Sequence, residues 1–258
     1  MSTFLFTIAF LLIFVSFGAS TIPCSEFKSS SIALVTLDVF AALMDTPNSL
    51  ISSVATILPR LSPSAVNSLV DQWINDYSNY AGYIFDENIT GPSPFQWVIR
   101  SSLSNMNSSM NLQLSTEETE RLILAWGQLT PWPGTYDVLA KISNSSSIAL
   151  APLSNGDVGT LSAAMAVFQP HAIPKFLFSS DFPIGAFKPD SAMYKQLLAD
   201  HGVTVEQVLH VAGSPTDAQG ARQAGLFSAL VYNKPIPGAY APCFSLKNIT
   251  DLLPVLGL

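Results

Sequence analysis

The stretch Ser31-Ile-Ala-Leu-Val-Thr-Leu-Asp38-Val-Phe40-Ala-Ala42-Leu43 is an apolar run that ends on a carboxylate and continues over small residues. A continuous Ile, Leu and Val run of this length is typical of a strand covered on both faces, as in a parallel sheet between helices. Ligands of such sheets bind just beyond the carboxyl ends of the strands. The pattern therefore predicts that Asp38 lies at the ligand-binding end of a buried strand.

Strand-like and helical patterns alternate in the second half of the chain. Strand-like runs occupy residues 147–153, 175–178, 208–211 and 227–232, and helical patterns occupy residues 135–143, 157–168, 191–201 and 217–224. Strands that alternate with helices of this length favour an α/β fold with a parallel sheet.

Residues 46–127 have a different pattern, in which helical periodicity is broken by clusters of Pro, Asn and Ser. An apolar stripe runs from Val66 to Tyr77, and Ser115-Thr-Glu-Glu118 is a capping box ahead of a further apolar helix. We therefore expect an all-helical insertion after the first strand.

The composition limits the size of the fold and the class of partner. The 258 residues suffice for one large α/β domain or for a core domain with a smaller inserted one. The 11 Lys and Arg against 18 Asp and Glu give a net charge of −7. Because an acidic chain offers little surface for neutralising phosphates, we expect no nucleic-acid partner.

The first residues have the pattern of an export signal. Residues 1–20 are apolar over the length of a signal-peptide core, and Gly18 and Ser20 are placed for cleavage after Ser20. The segment has no Lys or Arg, so an uncleaved membrane anchor remains the alternative. Four glycosylation sequons agree with an exported glycoprotein and begin at Asn88, Asn107, Asn144 and Asn248. We predict a secreted, extracellular chain with no stable membrane association once the signal is cleaved.

The two cysteines, Cys24 and Cys243, lie near the two ends of the mature chain. A disulfide between them would tie its start to its final segment. Two free buried thiols are the alternative, and the sequence leaves both open.

Three further motifs follow the predicted strands. Leu153-Ser154-Asn155-Gly156-Asp157 is either an anion-binding turn or a helix cap. Phe187-Lys188-Pro189-Asp190 precedes a helix that contains Tyr194, and its Lys opposes the helix dipole. This Lys is either a charge needed elsewhere or a solvated surface residue. In the stretch from Val211 to Ala221, an apolar strand leads through Ser214 to Asp217 and to Gly220, which allows close packing.

In this order, the four motifs resemble those of the haloacid dehalogenase superfamily, and most closely those of its L-2-haloacid dehalogenase branch. The resemblance covers roughly residues 31–234. It implies a Rossmann-like core at residues 31–45 and 128–258 and a helical cap at residues 46–127 that closes over the nucleophile.

The resemblance also implies roles for individual residues. Asp38 matches the nucleophile that displaces halide and forms an ester, and Lys188 matches the Lys that pairs with it. Ser154 matches a hydrogen-bonding Ser of the same network, and Asp217 matches the acid that positions the hydrolytic water. The implied substrate contacts are Phe40, Asn155, Tyr194 and Ser214. The expected partner is a small-molecule substrate, with no cofactor or metal and with a possible homodimer.

Several positions depart from the family patterns. Superfamily phosphatases have a second Asp where this chain has Phe40, which cannot shuttle a proton, so phosphate-ester hydrolysis is disfavoured. The dehalogenases have a Thr where this chain has Ala42 and a cap Arg where it has Ile74, and an aliphatic side chain cannot replace a cationic donor. Ala212 and Ser214 replace a Ser and an Asn.

Two interpretations follow from this mixture of matches and departures. The first is an active secreted hydrolase with a more apolar cap, and the second is a dehalogenase-like binding protein without turnover. A magnesium-dependent phosphatase is a weaker third. We expect His210 to be a hydrogen-bonded core residue, since it lies in an apolar strand. We expect Trp97, Trp126 and Trp132 to pack within the cap or between cap and core.

Overall fold

The computed structural model describes residues 22–170, 172, 174, 176–200, 202–234 and 237–258. The expected signal segment at residues 1–20 lies outside the described residues, as do His171 and His201.

A parallel sheet forms the core of the molecule. Its strands are β1 (Leu34–Leu37), β2 (Ala149–Pro152), β3 (Val208–Ala212), β4 (Phe227–Val231) and β5 (Phe244–Leu246), in the order β2-β1-β3-β4-β5. The residues of β1, β3 and β4 are buried throughout, in keeping with sequences that are apolar except for Thr36, His210 and Ser228. The structure therefore confirms the predicted α/β fold with a Rossmann-like parallel sheet.

Five helices separate β1 from residue 127. They are α1 (Thr46–Ile57), α2 (Pro63–Ser78), α3 (Glu87–Thr90), α4 (Pro94–Ser109) and α5 (Thr116–Ala125). The apolar stripe of α2 is buried from Val66 to Trp73, and the indole of Trp73 donates a hydrogen bond to the carbonyl oxygen of Ile99 in α4 at 3.0 Å. All five lie inside the segment predicted as the cap.

The remaining helices alternate with the later strands. They are α6 (Thr135–Ser143), α7 (Val158–Met165), α8 (Ser191–Asp200), α9 (Pro215–Gln223) and α10 (Leu252–Leu256). The predicted strand at 175–178 is wrong over its described residues, since only Phe178 pairs, in an isolated parallel bridge with Leu153. Neighbouring Pro152 has no N–H to donate, which limits the ladder along this edge of β2.

The helical segment and the sheet share one apolar cluster. Phe40, just beyond β1, stacks on Phe95 of α4 with ring centroids 5.2 Å apart and meets the edge of Trp126 at 5.5 Å. The helices are thereby seated over the carboxyl end of β1. Within the described residues, no helix is long and apolar enough to cross a membrane.

A disulfide joins Cys24 and Cys243, whose Cα atoms lie 5.2 Å apart. Of the two alternatives that the sequence left open, the structure contains the bridge. It fixes the segment before β1 against the segment that leads into β5, where Phe27 packs edge-on against Phe244.

Candidate active site

Asp38 follows β1 directly, between the ends of β2 and β3. The chain then forms a single π-helical turn, Val39–Leu43, and the amide of Ala41 donates to Asp38 Oδ2 at 3.0 Å. This bond aims the carboxylate back over the strand end. The side chain is largely buried but borders a cavity.

The ammonium of Lys188 uses all of its donors. Nζ lies 2.9 Å from Asp38 Oδ1, 2.7 Å from Asp217 Oδ2 and 3.1 Å from the carbonyl oxygen of Leu153. Burial lowers the pKa of Lys188, but the two carboxylates outweigh it and raise the pKa above its usual value. Lys188 therefore remains charged and binds both acids.

Asp217 lies in the first turn of α9, where the helix N-terminus favours negative charge. Its Oδ1 accepts hydrogen bonds from the hydroxyl of Tyr194 at 2.8 Å and from Nε2 of His210 at 3.0 Å. Burial raises the pKa of Asp217, yet His210 and Lys188 together hold it well below its usual range. The carboxylate is ionised and both of its oxygens have partners.

His210 is a site residue that the sequence reasoning did not assign to the site. It pairs in register with Thr36 of β1, whose hydroxyl lies 2.9 Å from Nδ1. An ionised carboxylate only accepts hydrogen bonds, so Nε2 carries the proton that binds Asp217. His210 is the hydrogen-bonded core residue that was expected, but its partner is the acid. The only signal in the sequence was an ionisable residue inside an apolar strand.

The two residues that follow Leu153 after β2, Ser154 and Asn155, contact Asp38 and Lys188. Ser154 Oγ lies 3.4 Å from Asp38 Oδ1, a long donor contact, and is fully buried. Asn155 Oδ1 accepts from the backbone amide of Lys188 at 2.8 Å, and the hydroxyl of Tyr77 lies near the Asn155 side chain. Burial, with a contribution from the Asp38 carboxylate, raises the pKa of Tyr77 above its usual range, so this hydroxyl stays protonated.

Two glycines permit the close approach that the site requires. A Cβ on Gly213 would lie 2.2 Å from the carbonyl carbon of Ala41, so only glycine lets the end of β3 touch the turn after Asp38. A Cβ on Gly220 would lie 2.5 Å from the hydroxyl oxygen of Tyr194. The sequence predicted that Gly220 would allow close packing on the sheet, but its close contacts are with Tyr194 of α8 and with Pro189.

A cavity of about 530 Å³ lies above Asp38. Its described lining consists of Asp38, Phe40, Ala41, Met44, Thr46, Pro47, Ile74, Tyr77, Ser78, Ala81, Trp126, Trp132, Asn155, Lys188, Gly213, Ser214, Thr216, Asp217, Tyr232 and Asn233. Trp126 and Trp132, which were expected to pack, also form part of the cavity wall.

Most of the sequence-predicted site residues border this cavity. They are Asp38, Phe40, Asn155, Lys188, Ser214 and Asp217. Ser154 and Tyr194 are fully buried and do not border it. Tyr194, expected as a substrate contact, is placed behind Asp217 by α8 and binds that carboxylate instead.

The two departures in the cap and the first motif have different positions. Ile74 borders the cavity, whereas Ala42 is fully buried and does not. A hydroxyl is nevertheless present at this edge, because Thr46 lines the cavity and donates to the carbonyl oxygen of Phe40.

Comparison with known proteins identifies the superfamily to which this arrangement is similar. The model of the haloacid dehalogenase-like hydrolase family matches residues 103–225. No curated protein sequence matches the chain.

Solved structures resemble it over most of its length. The L-2-haloacid dehalogenase from Xanthobacter autotrophicus shares 22% identity with a TM-score of 0.72, covering 88% of this chain and 98% of that one. A second L-2-haloacid dehalogenase shares 23% identity with a TM-score of 0.74, over 88% and 99% of the two chains. A hydrolase of the superfamily from Bacillus subtilis, solved with bound magnesium, shares 15% identity with a TM-score of 0.63, over 88% and 99%. The chain thus resembles the haloacid dehalogenase-like hydrolases in sequence and has the fold of the L-2-haloacid dehalogenases.

Proposed function

We propose that this chain is a hydrolase in which Asp38 attacks a substrate carbon and forms an ester that water then hydrolyses. The observation that carries the proposal is the position of Asp38 under the cavity, where it forms an ion pair with Lys188. The same ammonium group also pairs with Asp217. The ion pair holds the carboxylate of Asp38 in place beneath the cavity, where a carboxylate can act as a nucleophile. The Xanthobacter enzyme has been solved with chloropropionic acid covalently bound, which shows that this fold supports a covalent adduct.

The proposed reaction has two steps. An oxygen of Asp38 bonds to the substrate carbon while the bond to the halogen breaks, and the electron pair leaves with the halide. Water then adds to the carboxyl carbon of Asp38, oriented by Asp217, and the ester bond breaks. The alcohol keeps the oxygen that Asp38 supplied and takes one water proton, and the other proton passes to solvent.

Heavy-oxygen water tests this mechanism with enzyme in excess over substrate. After a single turnover of a 2-chloroacid or its amide, we expect one heavy oxygen in the peptide that contains Asp38 and ordinary oxygen in the alcohol. Label in the alcohol alone would mean that water attacks the substrate directly. Asp38→Asn should abolish both halide release and labelling, whereas Asp71→Asn, an exposed position on α2, should preserve them.

A ligand-binding protein without turnover is the second candidate. It is favoured by the environment of Asp217, whose oxygens accept from Lys188, Tyr194 and His210 and whose basicity is therefore low. This candidate predicts no labelled Asp38 with any chloroacid or chloroamide and unchanged ligand affinity in Asp38→Asn.

A magnesium phosphatase fits the residues less well. Magnesium needs oxygen ligands with free lone pairs in near-octahedral geometry. Here Lys188 already occupies the space between Asp38 and Asp217 where a magnesium ion would have to lie. The carbonyl oxygen of Phe40, a further oxygen beside Asp38, already accepts a hydrogen bond from Thr46. Magnesium-dependent phosphate release from an aryl phosphate would contradict this assignment.

We also propose that the protein is secreted and glycosylated. The Cys24–Cys243 bridge supports it, because disulfides persist in oxidising compartments. Asn88, Asn144 and Asn248 are exposed, as glycan acceptors must be, whereas Asn107 is partly buried and accepts from the amide of Leu114.

Expression of the full chain in a secreting, glycosylating host tests the proposal. We expect a mature N-terminus after Ser20 in the medium and a mass shift on enzymatic removal of N-glycans. Recovery in the membrane fraction with residues 1–20 attached would establish the uncleaved anchor instead.

A further inference from the structure

We propose that the cavity accepts an uncharged substrate with an aromatic or similarly large apolar group in place of a small carboxylate anion. This inference deepens the proposed function, because it names the substrate class of the same site. It rests on three observations about the described lining: its charge, its hydrogen-bond donors and its walls.

The charge of the lining disfavours an anion. Among its described residues, the side chains that carry charge are Asp38, Lys188 and Asp217, which sum to −1 when both acids are ionised. A substrate carboxylate would therefore meet net negative charge in a largely desolvated site, where like charges repel strongly.

The hydrogen bonds of Lys188 lead to the same conclusion. A Lys ammonium has three donors, and those of Lys188 are directed to Asp38, Asp217 and the carbonyl oxygen of Leu153. None remains for a substrate carboxylate unless an existing bond breaks. The one cation of the described lining thus belongs to the nucleophile and its partner acid.

The walls offer apolar surface in place of charge. Phe40, Tyr77, Trp126, Trp132 and Tyr232 are aromatic, and Met44, Pro47 and Ile74 add aliphatic surface. Pockets of roughly 300–1,000 Å³ hold drug-sized ligands. A three-carbon acid would leave most of the 530 Å³ unfilled, whereas a phenyl group would contact several walls.

The polar groups that remain in the lining are neutral. They include the amides of Asn155 and Asn233 and the hydroxyl of Thr216. Neutral donors and acceptors match an amide, ketone or hydroxyl on the substrate. We therefore assign an uncharged polar group beside the reacting carbon and an aromatic group against the walls.

Binding of three unreactive probes tests the inference without any turnover. Phenylacetamide, phenylacetate and phenethylammonium carry the same ring and differ in charge. By calorimetry or ligand-observed NMR at neutral pH, we expect phenylacetamide to bind at least tenfold more tightly than phenylacetate. Tightest binding of phenylacetate would overturn the inference. So would tightest binding of phenethylammonium, which would indicate a cation site made from the aromatic walls.

A charge introduced into the wall provides the reciprocal test. Ile74→Arg should raise the affinity for phenylacetate at least tenfold and reverse the preference, because it supplies a cation with free donors. Ile89→Arg, at an exposed position outside the cavity, should leave the preference unchanged. A folded Ile74→Arg protein with the wild-type preference would show that charge does not select the ligand. If that variant does not fold, the order of the three probes on the wild-type protein still decides the inference.

Turnover of a matched pair connects this inference to the proposed mechanism. Chloride release from 2-chloro-2-phenylacetamide should exceed that from 2-chloro-2-phenylacetate at least tenfold, after subtraction of the rates with Asp38→Asn. Release of chloride without label on Asp38 would contradict the mechanism only. Equal release from both compounds would contradict the substrate class only.

Discussion

The floor and the roof of the cavity differ in chemistry. We define the floor as Asp38, Lys188, His210 and Asp217, and the roof as Ile74, Tyr77 and Trp126 on α2 and after α5. In the floor, hydrogen bonds and ion pairs fix each side chain. In the roof, the contacts are mainly between apolar and aromatic surfaces. In the proposed mechanism, the floor therefore determines the bond that is made, and the roof determines the shape and charge of the substrate that enters.

Substitutions in the two regions should have different effects on kcat and KM. Substitutions in the floor should lower kcat, since they change groups that contact or position the nucleophile. Substitutions in the roof should act mainly on KM, because they change uniform binding.

The largest effect should come from Lys188→Met. It leaves two buried carboxylates without their shared cation, and breaking a buried pair costs about 3–5 kcal/mol of stability. We also expect about a thousandfold loss in kcat/KM, because Asp38 loses the cation that binds and orients its Oδ1. Chemical unfolding and halide release measure the two effects. Lys195 is exposed on α8, and Lys195→Met should change neither stability nor kcat/KM. A fully active Lys188→Met protein would show that Lys188 is not needed by the nucleophile.

His210→Leu should have the next largest effect. The hydrogen bond to Asp217 Oδ1 is lost, and misplacement of a positioned group costs about a hundredfold in rate. We expect the loss in kcat, counted per folded molecule, with little change in KM. His210→Gln, which retains an N–H donor, should recover part of the rate. Equal defects in Leu and Gln variants would mean that the ring only fills space.

Acid sensitivity should follow from Asp217. Its pKa is lower in the folded protein than the unfolded value of about 3.9, so its contribution to stability is complete above that pH and is lost as the pH falls below it. The free energy of unfolding, measured from about pH 5 to pH 2, should therefore decrease less steeply in Asp217→Asn. Asp71→Asn is the control and should keep the wild-type slope.

Tyr77→Phe should have the smallest effect. It removes a hydroxyl that lies in the cavity lining near Asn155 but keeps the ring, and a net hydrogen bond from a substrate to such a hydroxyl contributes about 0.5–1.5 kcal/mol. We expect a change of roughly threefold to tenfold, mostly in KM for a neutral substrate. A loss in kcat larger than that of His210→Leu would show that Tyr77 acts on the chemical step, as the floor residues do, and not on binding alone.

The sequence predicted the floor better than the roof. Asp38, Lys188 and Asp217 each follow a recognisable strand or turn signal, and parallel strands bring such positions to one edge. His210 was not assigned to the site because its hydrogen bond to Asp217 depends on the path of the chain from β3 into α9. The spacing of residues in the sequence does not predict that path. Tyr194 was placed in the substrate pocket, but α8 points it behind Asp217.

The roof depends on packing between segments distant in sequence. A Trp in an amphipathic helix predicts burial, but whether one ring edge faces a cavity depends on what packs opposite. Trp126 therefore could be predicted as buried but not as cavity lining. The edge strand β5 was missed for a related reason, since Phe244–Leu246 is only three residues long and follows a Pro-containing segment.

The position of Trp126 gives the protein an optical reporter of its own ligand. Its indole is almost fully buried, and among the described residues its N–H has no hydrogen-bond acceptor, which favours short-wavelength fluorescence. Trp132, six residues further along the chain, lines the same cavity. A ligand that enters should therefore change the emission of two of the four tryptophans, so that binding can be followed without a label or a chromogenic substrate.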